Sequence, residues 1–220
     1  LMNNKILIIA THPDDETLGC GGTLLKHKDG GDEIHWLICT ETDSNNDFYN
    51  IRKEEIKEAG KLYKFDSITN LKLKTMHIDE YSMSELIGKI STIVKQIKPN
   101  IIYLPFKGDV HSDHRLIFLT SYSCTKSFRY PFVKKIYMME TLSETEFSPS
   151  TKEDSFIPNT FVDISKYMDL KIKIMKVFKS EVSEHPFPRS EKSIRALNTL
   201  RGSTAGCDYA ESFVLLKEIV

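Results

Sequence analysis

Short apolar runs alternate with amphipathic stretches along the chain. Residues 5–10, KILIIA, are short and apolar, the pattern of a buried strand. Residues 17–27 predict a helix that Gly30-Gly31 would end. Residues 34–40, IHWLICT, predict a second strand, and residues 51–65 a charged, exposed helix. In 71–78, Leu71, Leu73 and Thr75 alternate with lysines, as in a half-exposed strand. The clearest helix covers 83–98. There Met83, Leu86, Ile87, Ile90, Ile93, Val94 and Ile97 recur at three- and four-residue steps and form one apolar face. Pro99 then stops it, because a proline ring cannot continue the ladder. A strand over 100–104, a helix over 114–127 and a strand over 135–140 follow. Residues 141–159 are polar, carry Pro149 and Pro158, and predict a long surface loop. An edge strand over 161–164, helices over 165–182 and 190–201, and a helical tail over 210–219 complete the pattern. No internal repeat interrupts it.

The β-α-β-α-β rhythm predicts an α/β fold, a mostly parallel sheet with helices on both faces. One domain is expected over residues 1–220, a length sufficient for a substantial core. Hydrophobic residues at 40% and charged residues at 28% are ordinary globular usage. A net charge of −1 gives no electrostatic reason to expect nucleic acid or an anionic membrane as partner. The apolar run of the first strand is too short to span a bilayer. No charged segment followed by an apolar one opens the chain, so no signal peptide is expected, and Leu1 ahead of Met2 reads as a cloning remnant. Cys20, Cys39, Cys124 and Cys207 are widely separated and form no C-x-x-C pair. That argues against a thiolate zinc cluster and a disulfide framework, and for a reducing, cytoplasmic setting.

The chemistry concentrates after two strands. The first delivers Thr11-His12-Pro13-Asp14-Asp15-Glu16 into one tight turn; the fourth leads to His111-Ser112-Asp113-His114. In a parallel sheet both clusters fall beyond the carboxyl ends of strands, where such folds bind ligands. A catalytic zinc commonly takes three protein ligands and leaves a fourth position open. His12, Asp15 and His114 can supply the three. Asp14 is then left beside the metal, placed to accept a proton from its water. His111 is a spare imidazole on the far side, where a developing oxyanion needs a donor. Asp113 could hold His111 or His114 in one tautomer.

Simpler roles compete with this reading. Asp14 and Asp15 could cap the following helix, and Glu16 could favour its dipole. Five potential ligands or bases past two strands exceed what capping requires. Cys20 reads as a small buried thiol, and His27 and His77 as surface residues. His35 reads as a packed or edge strand position, and His185 as part of a rim loop. Gly19-Cys20-Gly21-Gly22 resembles part of a dinucleotide-binding turn, but Leu24 stands at the third glycine position and two aspartates precede the run. Close packing of the helix on the sheet is the better account of these glycines.

The two clusters resemble the PIG-L / LmbE-like family of zinc-dependent N-deacetylases. The resemblance implies a Rossmann-like three-layer sandwich and removal of the N-acetyl group from an N-acetylglucosamine-type amino sugar or its conjugate. It implies His12, Asp15 and His114 as metal ligands, Asp14 as general base, His111 as oxyanion stabiliser, and Arg52 as a substrate contact. Ser112 stands where that family frequently has proline. Zn²⁺ is the expected cofactor, and Fe²⁺ suits the same donors. The expected partner is a small-molecule amino sugar, and the resemblance leaves room for a homo-oligomer. Tyr81, Arg189 or Arg201 would join Arg52 at the mouth, and the loops 41–50, 141–159 and 184–189 would set the substrate. Two other functions fit the same residues: an amidase acting on a non-sugar conjugate, and a catalytically idle, metal-dependent sugar-binding protein. The presence of both Asp14 and His111 speaks against the latter, since binding alone needs neither a base nor an oxyanion donor.

Overall fold

The computed structural model describes residues 3–45 and 47–220. The remnant reading of Leu1 lies outside those residues, as does Asn46 within the first rim loop. The chain runs β1 (Lys5–Ala10), α1 (Asp15–Asp29), β2 (Glu33–Glu41), α2 (Phe48–Tyr63), β3 (Ser67–Lys74) and a short 3-10 turn, Ile78–Glu80. It continues with α3 (Met83–Ile97), β4 (Ile101–Leu104), α4 (Ser112–Ser123), β5 (Lys135–Met139), β6 (Thr160–Asp163), α5 (Met168–Met175), α6 (Glu191–Ala205) and β7 (Ala210–Glu218).

The strands form one sheet in the order β3-β2-β1-β4-β5-β7-β6. The first five are mutually parallel; β7 runs antiparallel to both β5 and β6. Alternation along β1 builds a core on each face. Ile6, Ile8 and Ala10 pack with Leu24 of α1, Tyr63 of α2, Ile172 of α5 and Ile194 of α6. Leu7 and Ile9 turn the other way, onto Ile90 and Val94 of α3 and Ile117 of α4. Burial on both sides is why β1 reads as a continuous apolar run. The strand order reverses between β1 and β4, which pair directly. The crevice past their carboxyl ends is the switch point where such sheets place ligands.

The glycines of α1 are there for packing. A Cβ at Gly22 would stand 2.7 Å from Ile164, and one at Gly19 2.6 Å from the Met139 sulfur. Helix α1 also kinks at Cys20, whose φ of −148° is non-helical. The freed amides of Gly22 and Thr23 donate to the Glu211 carboxylate on β7, at 2.8 and 2.7 Å. Lys171 is buried against the same carboxylate at 2.7 Å.

Four expectations need correction. The tail over 210–219 is a strand, not a helix. Its leucines, lysine and glutamate suit a helix locally, but pairing with β5 on one side and β6 on the other outweighs that preference. The helix expected over 165–182 ends at Met175. Beyond it the chain tightens into i→i−3 turns, which seat Phe178 in the core and carry Glu181 outward. The third strand starts four residues before its expected position and stops at Lys74; Met76, with φ 62°, turns the chain away. His27, expected at the surface, is largely buried, with Nδ1 2.7 Å from Asp32 and Nε2 2.9 Å from the Tyr103 hydroxyl.

Candidate metal centre and active site

Past Ala10, the buried Thr11 carbonyl accepts from Thr40 of β2, fixing where the turn begins. Asp14 then adopts φ 123°, a costly conformation for a residue with a Cβ. Two carboxylates hold the turn. Asp15 Oδ2 accepts from the His12 amide at 2.7 Å, and Glu16 Oε2 from the Asp14 amide at 3.0 Å. Glu16 is fully buried, and burial pushes its carboxyl up to about 7. Asp14 occupies the N-cap position of α1, yet its side chain makes no capping bond. Its carboxylate instead meets the Arg189 guanidinium at 3.1 Å. Burial, then the neighbouring Asp15 charge, raise the Asp14 pKa well above the usual carboxylate range; Arg189 works against them.

Three donor atoms converge beside this turn. His114 Nε2 lies 3.3 Å from His12 Nδ1 and 3.3 Å from Asp15 Oδ2, and His12 Nδ1 lies 3.8 Å from Asp15 Oδ2. Nitrogen and oxygen ligands about 2.0–2.2 Å from a tetrahedral zinc would stand roughly 3.3–3.6 Å apart. Two of the three edges fall in that range, and the His12–Asp15 edge, at 3.8 Å, lies just beyond it. The outward ring nitrogens are also engaged. Asp109 Oδ2 is 2.9 Å from His114 Nδ1, and Asp113 Oδ2 is 3.4 Å from His12 Nε2. With an ion bound, each carboxylate would hold the proton on the outward nitrogen of its imidazole and leave the inward nitrogen free to ligate. Burial disfavours a charge on His114, but Asp15 and Asp109 outweigh it and raise its pKa to about 9. His12, Asp15 and His114 are a group that could hold a metal ion.

His111 is the N-cap of α4, and its Nδ1 accepts from the Asp113 amide at 3.1 Å. A ring that accepts at Nδ1 is neutral and carries its proton on Nε2. Burial, then His12 and His114, push its pKa down, in keeping with that form. Its centroid stands 4.7 Å from that of His12. The expectation for Asp113 changes accordingly. Its carboxylate serves His12 and the Met76 amide, at 3.4 and 2.8 Å, and the carboxylate that orients His114 is Asp109.

A family profile described as PIG-L, GlcNAc-PI de-N-acetylase, matches residues 7–123, just over half of the chain. The chain belongs to the PIG-L family. A diacetylchitobiose deacetylase of Thermococcus kodakarensis is 26% identical over 94% of this PIG-L chain and 81% of its own. A probable N-acetyl-α-D-glucosaminyl L-malate deacetylase of Bacillus cereus is 27% identical over 51% of this chain and 57% of its own. The N,N'-diacetylchitobiose deacetylase structure of Pyrococcus horikoshii superposes with a TM-score of 0.80 at 23% identity, covering 97% of this chain and 84% of that one. The 4-carboxy-2-hydroxymuconate hydratase of Pseudomonas putida shares the fold too, with a TM-score of 0.76 at 14% identity over 100% and 98% of the two chains.

A cavity of about 320 Å³ opens beside the triangle of this PIG-L site. It is lined by Asp14, His111 and Arg52, and by three residues the sequence reading missed or named only as a rim option: Glu144, Glu181 and Arg189. Arg52 Nη1 donates to the Pro13 carbonyl at 3.1 Å, and Nη2 to Ser180 at 3.2 Å and to the Glu181 carboxylate. Arg189 Nη1 bridges Asp14 and Glu181, at 3.1 Å from each. The loops 41–50, 141–159 and 184–189 do reach the cavity, through Thr42, Glu144 and Arg189. Tyr81, Arg201 and His185 do not line it. The Tyr81 hydroxyl accepts from the Lys74 amide, Arg201 clamps Glu140, and His185 is exposed beside a separate groove.

Proposed function

We propose that this chain is a zinc-dependent N-deacetylase that hydrolyses the N-acetyl group of an N-acetylglucosamine-type sugar or conjugate. The observation that carries the reading is the His12–Asp15–His114 triangle with the buried Asp14 carboxylate turned to the same cavity. The names of the family and of its relatives, deacetylases of diacetylchitobiose and of GlcNAc-malate, support the choice of reaction and sugar. When bound, the ion supplies an acidified water and a Lewis-acid contact for the amide oxygen.

The protein's own groups do the rest. Asp14 accepts the proton of the attacking water, a task suited to a carboxylate with a raised pKa. His111 donates its Nε2 proton as a hydrogen bond to the oxygen on which negative charge develops. Asp14 then returns its proton to the leaving amine. Asp113 and Asp109 keep the histidine rings aimed. Arg52 lines the cavity, where it would contact substrate, and also braces the Pro13 carbonyl and Glu181. One domain over residues 1–220 is supported by β7, which pairs with β5 and β6, and by Glu211, which ties it to α1. Zinc is the proposed ion, and Fe²⁺ suits the same donors. A reducing, cytoplasmic setting is supported by four unpaired cysteines. Among the described residues no helix is long and apolar enough to cross a membrane.

The test joins metal analysis to acetate release. Wild type should hold about one zinc per chain and release acetate from N,N'-diacetylchitobiose, and His114→Ala should lose most of both. Failure of wild type to hold metal after reconstitution overturns the hydrolase reading. Metal retention with cleavage only of non-sugar amides would select the amidase instead.

A further inference from the structure

Given the metal-site reading, the support of His114 extends past Asp109 into the loop that follows β5. Asp109 is fully buried, and both of its carboxylate oxygens meet protein groups. Oδ2 faces His114 Nδ1 at 2.9 Å, and Oδ1 accepts from the Thr145 hydroxyl at 2.7 Å. Among the described residues, no other group donates to Oδ1. The backbone here is held separately: Arg115 donates to the carbonyls of Asp109 and Val110, at 2.8 and 2.7 Å. Different partners therefore fix the main chain of Asp109 and the direction of its carboxylate.

The Thr145 hydroxyl is itself aimed. Its oxygen accepts from the Thr141 amide at 2.9 Å, which leaves its single proton for Asp109. The Thr145 amide donates back to the Thr141 carbonyl at 2.9 Å and closes a tight turn around the side chain. Asp109 and Thr141 are both fully buried, so neither partner of the hydroxyl can turn to bulk water in its place. A buried carboxylate oxygen left without a donor is costly. The same loop is fastened twice more. The Val110 amide donates to the Glu144 carbonyl at 3.2 Å, and the Ser148 hydroxyl to the Gly108 carbonyl at 2.5 Å. Neither of these bonds touches the Asp109 carboxylate.

We propose that Thr145 is a positioning residue for the metal centre. Its hydroxyl fixes the carboxylate that aims His114, so a loop that borders the cavity also sets how tightly the ion is held.

The test is zinc affinity by chelator competition, with the melting temperature followed alongside. Thr145→Val keeps the shape and removes the hydroxyl, and affinity should fall about tenfold. Thr145→Ser keeps the hydroxyl and should recover most of the loss. Ser148→Ala cuts a fastening that bypasses Asp109, and affinity should stay within about twofold of wild type. In an Asp109→Ala background, Thr145→Val should cost little more, because the hydroxyl acts through that carboxylate. If Thr145→Val does not fold, Thr145→Cys, similar in volume and a weak donor, should lose affinity in the same direction. Unchanged affinity without the hydroxyl, no recovery in Thr145→Ser, or an equal loss in Ser148→Ala overturns the proposal. The readout needs no turnover. Zinc binding without acetate release sinks the deacetylase reading and leaves this one standing, whereas a wild type that holds no zinc sinks both.

Discussion

On the wall carried by β1 and β4, His114 and Asp15 are 0% and 5% exposed, and each ligand imidazole is held from behind by an aspartate. On the facing wall, Glu181 and Arg189 are 22% and 24% exposed and meet through one shared ion-pair network. The first wall owes its geometry to backbone turns and buried hydrogen bonds, which salt screens little. The second rests on partly exposed charges carried by irregular chain. The difference separates two tasks. On the proposed reading, the buried wall fixes where a metal ion and a proton acceptor would sit, and the exposed wall tunes the acceptor.

The most severe break is at the junction of the two walls. Asp14→Asn keeps the shape and removes the base, so kcat should fall about 10³-fold with zinc content unchanged. A variant within a few-fold of wild type would show that another group takes the proton. A smaller break lies behind the buried wall. Asp109→Ala removes the carboxylate that orients His114 and leaves Thr145, which donates to Asp109 at 2.7 Å, without its acceptor. Zinc affinity should drop about 10–100-fold in a chelator competition. Unchanged affinity would mean that packing alone orients the ring.

The same division governs what could be read in the sequence. The buried wall was legible because its residues sit together. Five apolar residues and a contiguous His12–Glu16 run announce a strand and its turn, and His111–His114 repeats the arrangement. Asp109 was missed although it stands only five residues before His114, because a lone aspartate in a loop looks like any turn residue. Glu181, Arg189 and Glu144 lie in segments without periodicity, and only the tertiary path of the chain brings them to the cavity. Expecting a helix through 182 hid Glu181 by carrying it past the site. The strand β7 was misread for a related reason. Leu215, Leu216, Lys217 and Glu218 favour a helix locally, and the partners that make them a strand are up to 83 residues away, as with Lys135 and Glu218.

The exposed wall should yield the smallest effect, and its sign is the sharpest test of the contrast. Asp14 accepts a proton only when ionised, so kcat should climb as pH rises through its pKa. Burial and Asp15 push that pKa up, Arg189 pulls it down, and Glu181 pushes it up. Arg189→Ala removes a lowering influence, so the acid limb of the pH–rate profile should move to higher pH, with the plateau rate within a few-fold of wild type. Glu181→Gln removes a raising influence and should move the limb the other way. Added salt should shift the wild-type limb in the direction of whichever partner is screened more, and leave the zinc content untouched. If both substitutions move the limb in one direction, or neither moves it, the exposed wall does not tune Asp14 by charge. Its arginine would then matter only for holding the 184–189 loop in place, and the base would owe its behaviour to the buried wall alone.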